Sequence, residues 1–184
     1  MKLLSAFIAK IAGYRVIILL AVLFGLFANL LLPSLEKSIN EKAGKTVGVI
    51  DLQSGFHPSK VYEMIEDYGP EARKSYLLIE LTVDVVYPII YAFLFSVILF
   101  VFYEKLGVKA PFKSIYLLPF LTLLFDYTEN LFIVLMLSLY PTKVMALAYL
   151  CSVFTALKWA TLIASILLIL YGGMMLLIKR VIAR

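Results

Sequence analysis

The chain of 184 residues contains 63% hydrophobic and only 16% charged residues, with a formal net charge of +5. Its mean hydropathy is +0.99, whereas soluble domains are much more polar, with about 25% of their residues charged. The composition therefore excludes a soluble globular protein and indicates an all-α integral membrane protein, with a single membrane domain at residues 1–184.

Four apolar runs are long enough to cross a bilayer. A hydrocarbon layer of about 30 Å requires roughly 20 helical residues at about 1.5 Å per residue. The runs that reach this length lie at about residues 15–33, 76–102, 115–139 and 144–178. The sequence therefore predicts a bundle of four transmembrane helices, with a polar outer loop at about residues 34–75.

The first run resembles the start of a secretory signal, because basic residues lie at or before its beginning, namely Lys2, Lys10 and Arg15. It exceeds the usual apolar length of such signals, about 7–15 residues, and no small-x-small cleavage site follows it, so we expect a retained anchor. The preceding segment places four apolar residues near one helical face, namely Leu4, Phe7, Ile8 and Ile11. We expect that helix to lie along the inner membrane interface.

The outer loop has two parts with different patterns. In the first part, the run "TVGVIDL" at residues 46–52 is consistent with a strand or with an extended crossing segment. In the second part, helix-start residues precede apolar residues at helical spacing, which are Val61, Met64, Ile65 and Tyr68. This pattern predicts a short amphipathic helix at about residues 59–68. It either caps the outer end of the bundle or simply lies at the interface without a function.

Another helix is predicted to follow at once. Pro70 and Glu71 are typical of the first turn of a helix. We expect this helix to continue without interruption into the second membrane span.

The basic residues predict the orientation. With four spans both termini lie on one side, and that side carries nine Lys and Arg residues against seven on the other. The positive-inside rule therefore places both termini in the cytoplasm, and we expect the chain in the cytoplasmic (plasma) membrane. The basic excess faces anionic lipid headgroups, so the lipid bilayer is the expected partner and nucleic acid is not.

Two further classes of site are excluded by composition. A single cysteine, Cys151, excludes an intrachain disulfide. The only histidine, His57, leaves too few ligands for a zinc site.

Four acidic residues lie inside the apolar runs, and they are the strongest indication of function. They are Glu80, Asp84, Asp126 and Glu129. A lone charge at the centre of a bilayer costs about 2.5–3.5 kcal/mol on insertion scales, so intramembrane ionisable groups usually mark a functional site.

The spacing of these acids gives each span one polar face, because helical neighbours are three or four residues apart. The second span presents Glu80, Asp84, Tyr87 and Tyr91, and the third presents Thr122, Asp126, Glu129 and Asn130. The fourth span presents Ser152, Thr155 and Lys158. Their depths overlap, so we predict a polar site formed by Asp84, Asp126, Glu129, Asn130 and Lys158, supported by Glu80, Tyr87, Tyr91, Thr122 and Thr155.

Within this site, Asp126 and Glu129 are predicted to pair with Lys158. One lysine cannot neutralise four carboxylates in a low-dielectric interior, so protonation, water or a bound cation must make up the difference. Glu80 is nearest the outer interface and is expected to be solvated.

Three other features have competing interpretations. Pro88 is predicted to free the backbone carbonyl of Asp84 and to bend the second span there, although proline is also common in membrane helices without a special role. Trp159 is interpreted as a packing residue beside Lys158. The adjacent Gly172 and Gly173 would permit close helix packing but lack the small-x-x-x-small spacing.

Three functions fit this pattern. The first is binding or transport of a cation, a proton or a small cationic substrate; a transporter would need a homodimer, since the chain shows no internal repeat. The second is a lipid-binding protein or lipid-modifying enzyme, in which the oxygen ligands hold Mg²⁺ or another hard cation and Lys158 holds a phosphate. No nucleophile and base pair supports catalysis. The third is a structural or accessory subunit whose polar residues serve packing only.

Overall fold

The protein was analysed as a computed structural model, which describes residues 2–52, 58–107 and 112–182. About 90% of the structure is helical and the described residues form no strand. The helices are α1 (Lys2–Ile11), α2 (Tyr14–Leu26), α3 (Leu32–Ala43), α4 (Pro58–Asp67), α5 (Gly69–Glu80), α6 (Val83–Leu106), α7 (Leu118–Leu139) and α8 (Met145–Ile182). His57 lies outside the described residues.

Four helical stretches are long and apolar enough to cross a membrane. They are Tyr14–Ala43, Gly69–Leu106, Ser114–Leu139 and Met145–Ile182. The first stretch joins α2 to α3 through a π-helical turn at Phe27–Leu31, and the second contains both α5 and α6. The predicted all-helical fold with four helices of spanning length is thus confirmed.

Three helices, α6, α7 and α8, pack against one another and form the centre of the bundle. Helix α2 packs mainly against α6 and has no buried residue, so it lies at the periphery. Helix α1 also packs against α6, with Ile8 fully buried and the Phe7 ring edge-on to Phe93 at 6.0 Å between centroids. The N-terminal segment is therefore a helix, and its apolar face contacts the bundle.

The segment 44–52 crosses the end of the bundle at which α3 ends and α5 begins; we call this the capped end. Residues 46–49 have no regular structure, and Ile50–Leu52 form one turn of 3-10 helix, so the extended crossing is observed and the strand is not. The backbone N–H groups of Val47 and Gly48 donate to Asn40 Oδ1 at 2.8 and 3.0 Å. These bonds hold the crossing segment against α3.

Helix α4 lies where the sequence predicts an amphipathic helix at 59–68. Val61, Ile65 and Tyr68 are fully buried in the main hydrophobic cluster, together with side chains of α5, α7 and α8. The Tyr62 hydroxyl donates to the Val144 carbonyl at 2.9 Å and accepts from its N–H at 2.8 Å. Since α4 contributes to the core, it caps the bundle rather than lying loosely at the interface.

The second span is interrupted, which corrects the expectation of one continuous helix. Helix α5 ends at Glu80 and α6 begins at Val83, and Thr82 has the non-helical dihedrals φ −127° and ψ −73°. The Thr82 hydroxyl donates to the Leu78 carbonyl at 2.6 Å. Side-chain bonds of this kind compete with the helical backbone and bend helices, which explains a break before the proline rather than at it.

Helices α6 and α8 approach closely at Gly172. A Cβ atom on this residue would lie 3.1 Å from Tyr103 Cε2 and 3.3 Å from Phe102 Cδ2. The missing side chain therefore makes room for the two rings, and the close packing predicted for the glycine pair is observed.

Candidate functional site

Lys158 of α8 lies between two carboxylates of α7. Its Nζ is 2.5 Å from Glu129 Oε2 and 3.8 Å from Asp126 Oδ1. The two acids are three positions apart and so share one helical face. Lys158 lies 158 − 145 = 13 residues after the start of α8, and Asp126 lies 139 − 126 = 13 residues before the end of α7, which places both about 20 Å from the capped end at 1.5 Å per residue.

Two hydroxyl groups complete this cluster. Tyr91 of α6 donates to Asp126 Oδ2 at 2.7 Å, and Thr155 of α8 donates to Glu129 Oε1 at 2.6 Å. Each carboxylate thus has the lysine at one oxygen and a hydroxyl donor at the other. We call these five residues the ion-pair centre. It joins all three central helices, and Glu129, Thr155 and Lys158 are buried to more than nine-tenths.

Asn130 and Asp84 meet through the backbone. Asn130 Nδ2 donates to the Asp84 carbonyl at 3.3 Å. This is the carbonyl that loses its helical partner because Pro88 has no N–H group. The freed carbonyl that the sequence predicts is therefore satisfied by an amide of α7, so it is not an open ligand for a cation.

A cavity of about 240 Å³ lies beside the ion-pair centre, towards the capped end. We call it the capped-end cavity. The first long helical stretch contributes apolar side chains to its wall, among them Leu32, Leu35 and Ile39, and α5 contributes Ile79. Tyr87 forms another part of the wall, with its ring stacked on Phe24 at 5.6 Å between centroids. Its volume lies just below the range of about 300–1,000 Å³ that is usual for drug-sized ligands.

Three carboxylates line the capped-end cavity, from three separate parts of the chain. They are Glu36 of α3, Asp51 of the crossing segment and Asp84 of α6. No lysine or arginine is among the lining residues in the described part of the chain. The cavity therefore combines an apolar wall with an unbalanced negative charge.

Tyr76 of α5 positions one of these acids. Its hydroxyl donates to Asp51 Oδ1 at 3.2 Å and accepts from the Ile50 backbone N–H at 3.0 Å. Tyr76 is itself buried. The 3-10 turn that carries Asp51 is thus fixed against α5, which keeps this carboxylate at the cavity wall.

Glu80 corrects a second expectation. Instead of being solvated, its side chain is only 2% exposed. Neither carboxylate oxygen has a hydrogen-bond partner among the described residues. A buried polar group without a partner is rare. Glu80 is turned inward by the periodicity of α5, because it lies four positions after Tyr76 and eight after Ala72, on the buried face of that helix.

The remaining predicted residues lie near the ion-pair centre without joining it. Thr122 is buried, and its hydroxyl has no partner among the described residues. The Trp159 ring lies 5.8 Å from Lys158 Nζ. Neither contacts the carboxylates through a hydrogen bond that the structure describes. The structure thus brings together Asp126, Glu129, Lys158, Tyr91 and Thr155, and it places Asp84, Tyr87 and Glu80 beside them.

Glu36, Asp51 and Tyr76 are not among the site residues that the sequence predicts. The predicted first span ends at Pro33, although Leu35 and Ile39 continue the helical spacing of Leu32 beyond it. Proline is well tolerated in the first turn of a helix, so this spacing was the available signal for a longer helix that carries Glu36 inward. Asp51 follows Val49 and Ile50 in the outer loop, and no local pattern distinguishes it from the other charges of that loop.

The proposed oxygen ligands do not surround one point. Among the residues that the structure describes, no group of three or more His, Cys, Asp and Glu side chains is arranged to hold a metal ion. Lys158 occupies the space between Asp126 and Glu129, and Asn130 directs its NH₂ group at a carbonyl. A Mg²⁺ site at these residues therefore gains no support.

The chain matches no protein-family model, no curated protein and no solved structure.

Proposed function

We propose that this chain is an integral membrane protein that binds a small organic cation in the capped-end cavity. Four helices of spanning length favour insertion in a bilayer. The distribution of basic residues favours cytoplasmic termini, which places the capped end on the outer side. In this orientation the cavity lies near the outer end of the bundle, where a solute from that side has a short path to it.

The observation that carries this proposal is the charge of the cavity wall. Glu36, Asp51 and Asp84 face a partly apolar space with no basic residue among the lining residues that the structure describes. Carboxylates near a low-dielectric wall attract cations more strongly than they do in water. An ammonium group beside apolar and aromatic side chains fits such a wall, because its alkyl substituents contact the apolar part.

The ion-pair centre has a different role in this proposal. Its lysine forms ion pairs with both carboxylates of α7, and hydroxyl groups donate to their other oxygens. These residues therefore have few free positions for a ligand. They hold α6, α7 and α8 in register and so position Asp84 and Tyr87, which lie on α6 about two turns and one turn before Tyr91, respectively.

The lipid-modifying alternative has less support. It requires Lys158 to bind a phosphate, but Nζ lies 2.5 Å from Glu129 Oε2 in a buried position. An anion at Lys158 would have to displace this carboxylate, and breaking a buried ion pair costs about 3–5 kcal/mol. Transport remains an extension of the binding proposal, and it would need a second conformation or a dimer.

The test is binding of tetramethylammonium to the purified protein in lipid nanodiscs, measured by isothermal titration calorimetry. We expect saturable binding that weakens at least tenfold in Asp84→Asn and in Glu36→Gln, because each substitution removes one charge from the wall. A tenfold loss corresponds to about 1.4 kcal/mol.

The matched control is Glu41→Gln, which removes an exposed carboxylate of the same helix as Glu36. Glu41 pairs with Lys37 at 3.8 Å, and its side chain is 67% exposed. It should bind tetramethylammonium like the unmodified protein. No saturable binding, or equal weakening in Glu41→Gln and Glu36→Gln, would contradict the proposal.

A further inference from the structure

We infer that the ligand is a single-chain cationic amphiphile, whose alkyl chain lies in a groove between α6 and α7 that opens towards the bilayer. The inference rests on the proposed function and adds the chemical class of the ligand and its route. It depends on a second cavity, which is distinct from the ion-pair centre and from the capped-end cavity.

This second cavity, which we call the lateral groove, has a volume of about 330 Å³. It lies beside the break between α5 and α6. Leu81, Val85 and Leu131 line it and are 55%, 43% and 54% exposed. In a chain that spans a membrane, exposed apolar side chains on this face contact lipid tails. The groove therefore opens sideways, towards the hydrocarbon region.

Two acidic residues line this otherwise apolar groove. Asp84 is one, and the other is Glu80, whose carboxyl oxygens are both buried in the wall and have no hydrogen-bond partner among the described residues. No lysine or arginine is among the described lining residues. A lone ionised carboxylate is costly to bury, so the negative charge that a headgroup meets in this groove is that of Asp84. An ammonium headgroup supplies the opposite charge.

Asp84 connects the two cavities. It lines the lateral groove and also the capped-end cavity. A headgroup that contacts this carboxylate therefore lies where both spaces meet, with room for an alkyl chain on the side of the groove. This arrangement explains why an acidic site is open to lipid: the hydrophobic part of the ligand stays in the bilayer while its charge reaches the carboxylates.

The same lining favours a net cation over a phospholipid. A zwitterionic headgroup would bring a phosphate close to Asp84, and no basic residue in the described lining of either cavity is present to neutralise it. Like charges at such distances are unfavourable. The volume of the groove is also at the lower end for a drug-sized ligand, which suits one chain better than two.

The experiment compares three probes in nanodiscs: tetramethylammonium, dodecyltrimethylammonium below its micelle concentration, and dodecylphosphocholine, which carries a quaternary ammonium and a phosphate. For each probe, the specific binding is the difference between the unmodified protein and the Asp84→Asn variant. This subtraction is needed because the long-chain probes also partition into lipid. We expect dodecyltrimethylammonium to bind at least tenfold more tightly than tetramethylammonium. Dodecylphosphocholine should bind at least tenfold more weakly than dodecyltrimethylammonium.

Filling the groove separates the chain site from the headgroup site. Leu131→Trp should remove the advantage of the long chain while leaving tetramethylammonium binding unchanged, and Val134→Phe in the same wall provides a second variant if the first does not fold. Leu170→Trp is the control, since Leu170 is 63% exposed on α8 and does not line the groove. It should leave the affinities of all probes unchanged.

The outcomes distinguish the two proposals. If tetramethylammonium binds in an Asp84-dependent way but the long chain adds nothing, or if both groove variants leave the long-chain advantage intact, the amphiphile inference is wrong and the cation site stands. Equal binding of dodecylphosphocholine and dodecyltrimethylammonium also overturns the inference. If no probe shows Asp84-dependent binding, the proposed function fails and the inference fails with it.

Discussion

Replacing Lys158 by methionine tests whether the ion-pair centre stabilises the bundle as a coupled unit. The substitution keeps most of the side-chain volume and removes the charge between Glu129 and Asp126. Glu129 is fully buried and Asp126 is 8% exposed, so their carboxylates would lose their counter-charge without gaining water. Removing one partner of a buried ion pair costs about 3–5 kcal/mol, and we expect Lys158→Met to lower the free energy of unfolding by that amount.

The distances predict which acid should rescue the variant. Lys158 Nζ is 2.5 Å from Glu129 and 3.8 Å from Asp126. At equal dielectric constant the Coulomb energy varies inversely with distance, so the pair with Glu129 is stronger by 3.8/2.5, or about 1.5-fold. Glu129→Gln added to Lys158→Met should therefore recover more stability than Asp126→Asn added to the same variant.

The assay is unfolding by dodecyl sulfate titration in mixed micelles, followed by the fluorescence of Trp159, the only tryptophan. A double-mutant cycle for each acid gives its coupling energy to Lys158, and groups in one network typically show about 0.5–3 kcal/mol. Strictly additive effects in the Glu129 cycle would refute the coupling. Greater rescue by Asp126→Asn would refute the ranking drawn from the distances.

Two further predictions test the fold. Cysteines placed at Lys45 and Lys105, in a background without the native cysteine, should react with an impermeant maleimide from outside the cell only at Lys45; the reverse pattern would invert the proposed orientation. Gly172→Ala should lower the unfolding midpoint, because its Cβ would lie 3.1 Å from Tyr103 Cε2. The control is Gly25→Ala, whose Cβ would have no neighbouring atom within 4 Å. It should be neutral or stabilising, since alanine favours helix over glycine by up to about 1 kcal/mol. Equal midpoints for the two variants would show that the α6–α8 approach does not limit stability.

The elements that the sequence predicts well are those whose pattern is contained in one segment of the chain. Apolar runs of spanning length identify the four long helices, since no other segment offers enough apolar length. The amphipathic spacing of Val61 and Ile65 identifies α4. The pairing of Lys158 with Glu129 follows from helical periodicity and similar depth, both of which can be counted along the chain.

The acidic cavity cannot be predicted from the sequence, because its carboxylates come from separate segments. Glu36 and Asp84 are separated by 84 − 36 = 48 positions, and they face the same space only because α3 packs against α5 and the crossing segment lies between them. The interruption at Thr82 cannot be predicted from the sequence either. Threonine is common inside membrane helices, and whether its hydroxyl bonds to a backbone carbonyl depends on the backbone geometry. The burial of Glu80 follows from its place on the same face of α5 as Ala72 and Tyr76.

The charge imbalance noted in the sequence takes a different form in the structure. Asp126 and Glu129 have the lysine and two hydroxyl groups as partners, so the demand for a further cation at these two residues is small. Asp84 lacks a basic partner in the described lining of both cavities. The unbalanced charge is thus displaced from the middle of the bundle to the break between α5 and α6, where both cavities meet. A ligand that satisfies it must reach that break, and for this reason binding should depend more on Asp84 than on any residue of the ion-pair centre.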